Sequence, residues 1–285
     1  QPGWTAPGLT VRWSQPGWPW PICICAGSAW RNTFSTSQGV RALADLLWTE
    51  FAKLRRQRML WLLLLGSAVM PAFTYLYYFT HPGCSYTFLS LYRQGMFSLG
   101  AMVLLPICLG VLAAILVDSE RSTRVLWQLW IVPVSAGGYI LAKLAVLFAF
   151  SVAYFVSAAV VCLAPVFFLP ALRPSPGALA FVVFLAARFC VLETAAALPL
   201  LGLAILLKKS LVSCCVSILY GIFGFILASK APFLLPSACA ALWGVQGVPG
   251  ARFPVSFSLF PALVCFGVWG AAAVVAAWNS LREVE

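Results

Sequence analysis

Arg55-Arg56-Gln57-Arg58-Met59-Leu60-Trp61-Leu62-Leu63-Leu64-Leu65 opens an apolar run that continues to Phe79. A helix over 59–79, rising 1.5 Å per residue, is long enough to cross the roughly 30 Å hydrocarbon core of a bilayer. In lipid the backbone has no water to bond, so it must bond to itself, and a long unbroken apolar run does this as a helix. Five more runs have the same character, at about 96–117, 139–165, 188–207, 211–229 and 259–278. Apolar character persists to Leu169 after the third and reaches back to Ala178 before the fourth. A membrane β-barrel would instead show short alternating segments.

Composition agrees with these runs. The 285 residues are 62% hydrophobic and 9% charged, where a soluble domain carries roughly a quarter charged residues. Too few solvated side chains are present to cover a water-soluble enzyme. A disordered chain would be polar and poor in aromatics. Ten cysteines in 285 residues fall well below the density of a disulfide scaffold. The expected fold is therefore an all-α polytopic membrane protein with six transmembrane helices.

Charge sets its orientation. Arg41, Lys53, Arg55, Arg56 and Arg58 precede the first run, Arg121 and Arg124 follow the second, Lys208 and Lys209 join the fourth to the fifth, and Arg282 lies in the tail. The other side holds Arg93, Arg173, Lys230 and Arg252. The positive-inside rule makes the richer side cytoplasmic, with both termini inside. The net charge of +11 then reflects topology and anionic headgroups rather than nucleic acid.

Residues 1–39 have a different texture. Gln1-Pro2-Gly3-Trp4 recurs as Gln15-Pro16-Gly17-Trp18, followed by Pro19-Trp20-Pro21. No helical period survives so many Pro and Gly, and no signal-peptide pattern is present. The expectation is either a mis-assigned upstream extension, with the natural start near Val40, or a disordered cytoplasmic arm. Cys23-Ile24-Cys25 has no second pair or His nearby and is weak as a metal site.

After Val40 a helical period begins. Leu43, Leu47, Phe51 and Leu54 share one face, opposite Asp45, Thr49, Lys53 and Arg56. This is an amphipathic helix in the cytoplasmic interface, with Trp48 and Trp61 suited to the headgroup level. It is either a topology anchor or part of a docking surface. A second cytoplasmic element starts at Asp118-Ser119-Glu120-Arg121-Ser122-Thr123-Arg124, runs through Val125–Trp130, and stops at Pro133. Acids first and bases one turn later suit a short helix and its dipole.

The inventory for chemistry is thin. There is no phosphate-binding G-x-x-x-x-G-K-[ST] and no H-E-x-x-H, and the lone His81 lies in an outer loop. Cys108, Cys162, Cys190, Cys214, Cys215 and Cys265 lie within apolar runs and act as small hydrophobes. Cys84 and Cys239 share the outer side, without sequence support for a bridge. Arg188 and Glu193 form a candidate intramembrane polar site. Five residues apart, they do not share a helix face. Arg188 is placed at the outer boundary, and Glu193 within the outer half of the fourth run. Glu193 either lines an export path for a cationic amphiphile or serves structurally, as a hydrogen bond to a neighbouring helix or a protonated acid. Gly100, Gly221 and Gly224 suit close helix contacts.

Leu47-Trp48-Thr49-Glu50-Phe51-Ala52-Lys53-Leu54-Arg55-Arg56, running into Leu60-Trp61-Leu62-Leu63, resembles the opening of permease subunits of type-2 ABC exporters. Glu120 after the second run, the turn Pro133-Val134-Ser135, and Lys143 follow that pattern. Ser122-Thr123 departs from it, standing where the family has a small residue and Gly-Thr. Leu198-Pro199-Leu200 through Lys208-Lys209-Ser210, with Pro236, resembles the subgroup that exports lantibiotics or bacteriocins and confers immunity. The likeness covers residues 40–285. It implies a six-helix permease domain with an N-terminal elbow helix, a second permease subunit as homo- or heterodimer, and a cytoplasmic ABC ATPase that binds the ATP. The permease itself would be no enzyme and hold no cofactor or metal, and would sit in a bacterial cell membrane. Coupling contacts to the ATPase would fall at Glu50, Lys53, Glu120, Arg121 and Arg124. The loop between the fifth and sixth helices would pack on the outer face, and residues 231–258 are apolar enough to dip into the membrane. The rival expectations are an ion-driven secondary transporter with Glu193 as carrier, a membrane enzyme, and a non-transporting assembly or sensor subunit.

Overall fold

A computed structural model describes residues 48–53, 58–81, 87–122, 136–164, 175–207, 209–248 and 256–282. Among them there is no strand. Six helices are long and apolar enough to span a membrane: α1 (Arg58–Thr80), α2 (Phe88–Ser122), α3 (Gly137–Leu163), α4 (Pro176–Leu206), α5 (Ser210–Ala228) and, after the short α6 (Pro236–Val245), α7 (Leu259–Asn279). Residues 48–53 are helical as well. The remainder of the expected elbow helix, and Thr123–Ser135 with Arg124 and the Pro133-Val134-Ser135 turn, lie outside the described residues.

Two helices are longer than hydropathy alone marks. α2 starts at Phe88 rather than 96, because Thr87 and Ser90 cap each other's backbone amides at 3.1 and 3.3 Å in a reciprocal capping arrangement. α4 starts at Pro176 rather than 188, where Ser175 accepts from the Ala178 amide at 3.2 Å and Pro176 occupies the first helical turn. Arg93 and Arg188 interrupt the apolar runs without interrupting the helices. At its far end α2 continues through Asp118–Ser122, so these residues form its last turn and do not open a separate cytoplasmic helix.

Neither helix is regular. Residues Arg93–Leu104 of α2 are wound as a π-helix, and the Gly100 carbonyl accepts from Tyr154 of α3 at 3.0 Å. α4 breaks at Ala197, just before Pro199, since proline lacks the amide that would continue the ladder.

Among the six membrane-length helices, α2 and α4 are the most enclosed, while α1 and α7 are the least. Phe97, Phe155 and Phe189 bring α2, α3 and α4 together, with ring centroids 5.6–6.3 Å apart. α5 closes against α2 through Gly221, where a Cβ would stand 2.5 Å from Ile107 and 3.0 Å from the Val103 carbonyl. Large apolar residues face outward along α1, α5 and α7, among them Phe73, Phe79, Phe223 and Phe260, as a lipid-facing surface does.

α6 is a re-entrant element. Ser237 at its start meets Gly224 and Tyr220 of α5, below the end of α5 at Ala228. The chain then climbs back along α4, pairing Ala240 with Ala196 and Leu192, then Gly244 with Phe189. Every residue of α6 except Trp243 is buried. Residues 232–248 thus turn back among the helices, and 249–255 lie outside the described residues. Cys239 in this element is a free, buried thiol, and Cys84 lies outside the described residues.

Candidate functional site

At the basic end of the bundle, four charged side chains from three segments meet. Glu50 and Lys53 stand three residues apart on the helical turns 48–53, so both point the same way. Glu120 occupies the last turn of α2. Lys143 lies near the start of α3, one turn after Tyr139. The Lys143 Nζ donates to Glu50 Oε2 at 2.6 Å and to Glu120 Oε1. The Lys53 Nζ donates to Glu50 Oε1 at 2.8 Å and to Glu120 Oε1 at 3.3 Å. The Tyr139 hydroxyl donates to Glu120 Oε2 at 2.7 Å, and the Lys143 ammonium stands 5.3 Å from the Tyr139 ring centroid.

Two carboxylates and two ammoniums sum to zero charge, and each carboxylate oxygen has at least one donor. That balance lets the group be buried. Lys143 is 1% exposed and Glu50 and Glu120 are 2%, whereas Lys53 keeps 39%. Burial alone would push the Glu50 carboxyl up. The Lys143 ammonium, with hydrogen bonds from Lys143 and Lys53, outweighs it and holds Glu50 below its ordinary range. Burial likewise works against the Lys53 ammonium, yet Glu50 and Glu120 raise it above its ordinary value.

A satisfied buried quartet of this kind adds little net stability over an apolar core, but breaking one member is costly. Its effect is geometric. It fixes the turns 48–53 to the adjoining ends of α2 and α3. Trp48 and Phe51 face outward, so the apolar side of these turns is free for lipid while Glu50 and Lys53 face the protein.

Arg121, beside Glu120, points elsewhere. Its guanidinium donates to the carbonyls of Ile205 and Leu207, which end α4. A helix leaves its last carbonyls without amides, and a guanidinium there suits both the hydrogen bonds and the dipole. Adjacent residues on α2 therefore hold different parts of the same end of the bundle. Glu120 engages the 48–53 turns and α3, while Arg121 engages α4.

Among the residues expected to couple to an ATPase, Glu50, Lys53 and Glu120 come together, Arg121 takes a separate partner, and Arg124 lies outside the described residues. Lys143 stood in the sequence pattern without a role, and Tyr139 was missed. Their spacing of four residues at the start of a helix was the available signal.

Arg188 is not at the outer boundary expected for it. With α4 starting at Pro176 it lies well inside that helix, where it donates to the carbonyls of Trp243 and, at 3.0 Å, Gln246, closing the end of α6 as Arg121 closes α4. Arg188 and Glu193 do not meet. Glu193 is 1% exposed, and neither carboxylate oxygen has a hydrogen-bond partner. The expected structural hydrogen bond from its side chain to a neighbouring helix is not made. Among the described residues no three His, Cys, Asp or Glu are grouped to hold a metal ion.

Residues 46–224 match the family described as ABC-2 family transporter protein. The match spans more than half of the chain and takes in the whole charged quartet. No curated protein matches the chain. The chain belongs to the ABC-2 transporter family, as a multi-pass permease component of an ABC transporter rather than a catalytic subunit.

Proposed function

From that membership we propose that the chain is the membrane-spanning subunit of an ATP-driven exporter that moves a hydrophobic or amphipathic substrate outward. A lantibiotic-like peptide or drug is the substrate class, immunity or resistance the outcome, and a bacterial plasma membrane the location. Two permease subunits, identical or different, work with cytoplasmic ATPases that bind and hydrolyse the ATP.

The observation that carries this reading is the buried quartet Glu50–Lys53–Glu120–Lys143. ATPase closure presses the cytoplasmic end of the permease. The quartet makes the 48–53 turns, α2 and α3 respond as one body, and Arg121 carries the displacement to α4. Packed interfaces move between discrete arrangements, so rigid-body movement of the bundle is the expected response.

The test is capture of the tagged chain from detergent, with mass spectrometry of what accompanies it. A stoichiometric ABC ATPase supports the reading, and export should be lost in an E120A/R121A/R124A chain that still inserts. A membrane-only preparation, unchanged by ATP and crosslinking, would count against it. A second reading, an ion-driven transporter, draws on the unpartnered Glu193. It predicts transport that stops when the proton gradient collapses while ATP stays high.

A further inference from the structure

We propose that Cys239 and Cys265 form a redox-active thiol pair, which a disulfide-bearing oxidant converts to a bridge joining the re-entrant α6 to α7. The two residues pack in one buried cluster with Ala262, against Phe233, Phe257 and Phe266. Their side chains hydrogen-bond to each other, and both are free thiols. Cys108, Cys162 and Cys190 belong to the central core instead.

One stripe of α7 turns toward the re-entrant segment. Ala262, Cys265 and Trp269 stand three and then four residues apart, so they share a helix face. Ala262 has no exposed surface, and Trp269 Nε1 donates to the Leu234 carbonyl at 3.0 Å. The next residue, Leu235, accepts from the Cys239 amide at 3.0 Å. The Trp269 bond therefore holds the entry of α6 against the same face of α7 that presents Cys265. Thiols in contact across such a packed interface need side-chain rotation, not a new approach of the helices, to bond.

Position and exposure order the reaction. The charge bias puts the basic end of the bundle in the cytoplasm, so α6 and the start of α7 lie toward the outer side, where disulfides persist. Cys239 has no exposed surface, and Cys265 keeps 6%. Phe260, Leu263 and Val264 of α7, close to Cys265, face outward, so an apolar oxidant arriving through lipid meets Cys265 first. The Cys265 sulfur attacks the oxidant's disulfide, forming a mixed disulfide and releasing one thiol that takes the Cys265 proton. The Cys239 sulfur then attacks the Cys265 sulfur, and a second thiol leaves with the Cys239 proton. Two protein thiols are oxidised to one bridge, and one oxidant disulfide is reduced to two thiols. The bridge fixes α6 on α7 whatever the chain transports.

The experiment uses the full chain, reduced and then freed of reductant, in lipid nanodiscs. The oxidant is 2,2′-dithiodipyridine, an apolar aromatic disulfide. Peptic digestion in acid, which halts thiol exchange, precedes mass spectrometry of the cysteine peptides. The wild type should give two peptides linked through Cys239 and Cys265, with no pyridyl group left on either, and dithiothreitol should separate them. In C239S, which removes the resolving thiol, Cys265 should instead retain the pyridyl group. A pyridyl group persisting on either cysteine of the wild type, both thiols staying reduced, or either one bridged to another cysteine such as Cys84 would overturn the proposal. So would an inserted C239S chain whose Cys265 stays unmodified. The wild-type peptides decide the matter even where C239S fails to insert.

Discussion

Lys143 and Glu50, ninety-three residues apart in sequence, form a direct ion pair at 2.6 Å in which both side chains are almost wholly buried. The pair fastens the segment that precedes the first membrane helix to the start of the third. Glu120 and Lys53 complete the charge balance, and Tyr139 fills the last carboxylate oxygen.

Removing Lys143 should therefore be severe. Lys143→Met leaves two buried carboxylates facing one half-exposed ammonium, at a cost of about 3–5 kcal/mol. Thermal unfolding of the detergent-purified chain should shift down sharply. Adding Glu120→Gln to K143M should recover part of the loss, because it removes one unpaired charge. A double variant as unstable as the sum of the two singles would contradict a shared network.

Tyr139→Phe is the mild probe. It keeps the ring beside Lys143 and removes only the hydrogen bond to Glu120, a loss of about 1.5–3 kcal/mol for a bond to a charged group. The chain should insert normally and show a smaller downward shift in Tm than K143M.

The pH dependence has a definite sign. Glu50 is held below its ordinary value of 4.5, so its stabilising contribution is complete above that value and is lost as pH falls through the lower folded value. Lys53 is held above its ordinary 10.5, so its contribution is complete below that value and is lost as pH rises through the higher folded one. Between about pH 5 and 10 these two groups give a flat profile. E50Q should blunt the acid decline in Tm, and K53M the alkaline one. Parallel profiles for E50Q and the wild type would show that Glu50 has no such role.

Arg121 and Arg188 should be sensitive to Lys replacement, because a lysine retains the charge but not the fork that reaches two carbonyls. R121K should loosen the end of α4 and R188K the end of α6. Protease or hydrogen-exchange protection should fall at residues 203–207 in the first variant and at 242–246 in the second, each leaving the other end unchanged.

Gly221→Ala should be destabilising despite alanine's better helix propensity. The added methyl meets Ile107 and the Val103 carbonyl, forcing α2 and α5 apart at a cost of about 1–3 kcal/mol for overpacking. A rise in Tm would show that the contact can relax.

The membrane helices were legible in the sequence because lipid leaves a long apolar run almost no other conformation. The charge bias and the Glu50-to-Arg56 pattern gave the expected orientation and family. Three of the five expected coupling residues, Glu50, Lys53 and Glu120, join one cluster. Helix ends were less legible. Thr87 and Ser175 extend α2 and α4 through local capping, while Arg93 and Arg188 break the hydropathy signal that marks a span.

By itself, then, the sequence determined that this chain builds a bundle of six apolar helices, since helix formation in lipid depends on local composition and length. Only the tertiary structure decided which charges meet. It paired Lys143 with Glu50 rather than leaving it a flanking lysine, turned Arg121 onto α4, and left Glu193 without a partner in the interior. Ion pairing and burial depend on which distant segments pack together, and hydropathy carries no record of that.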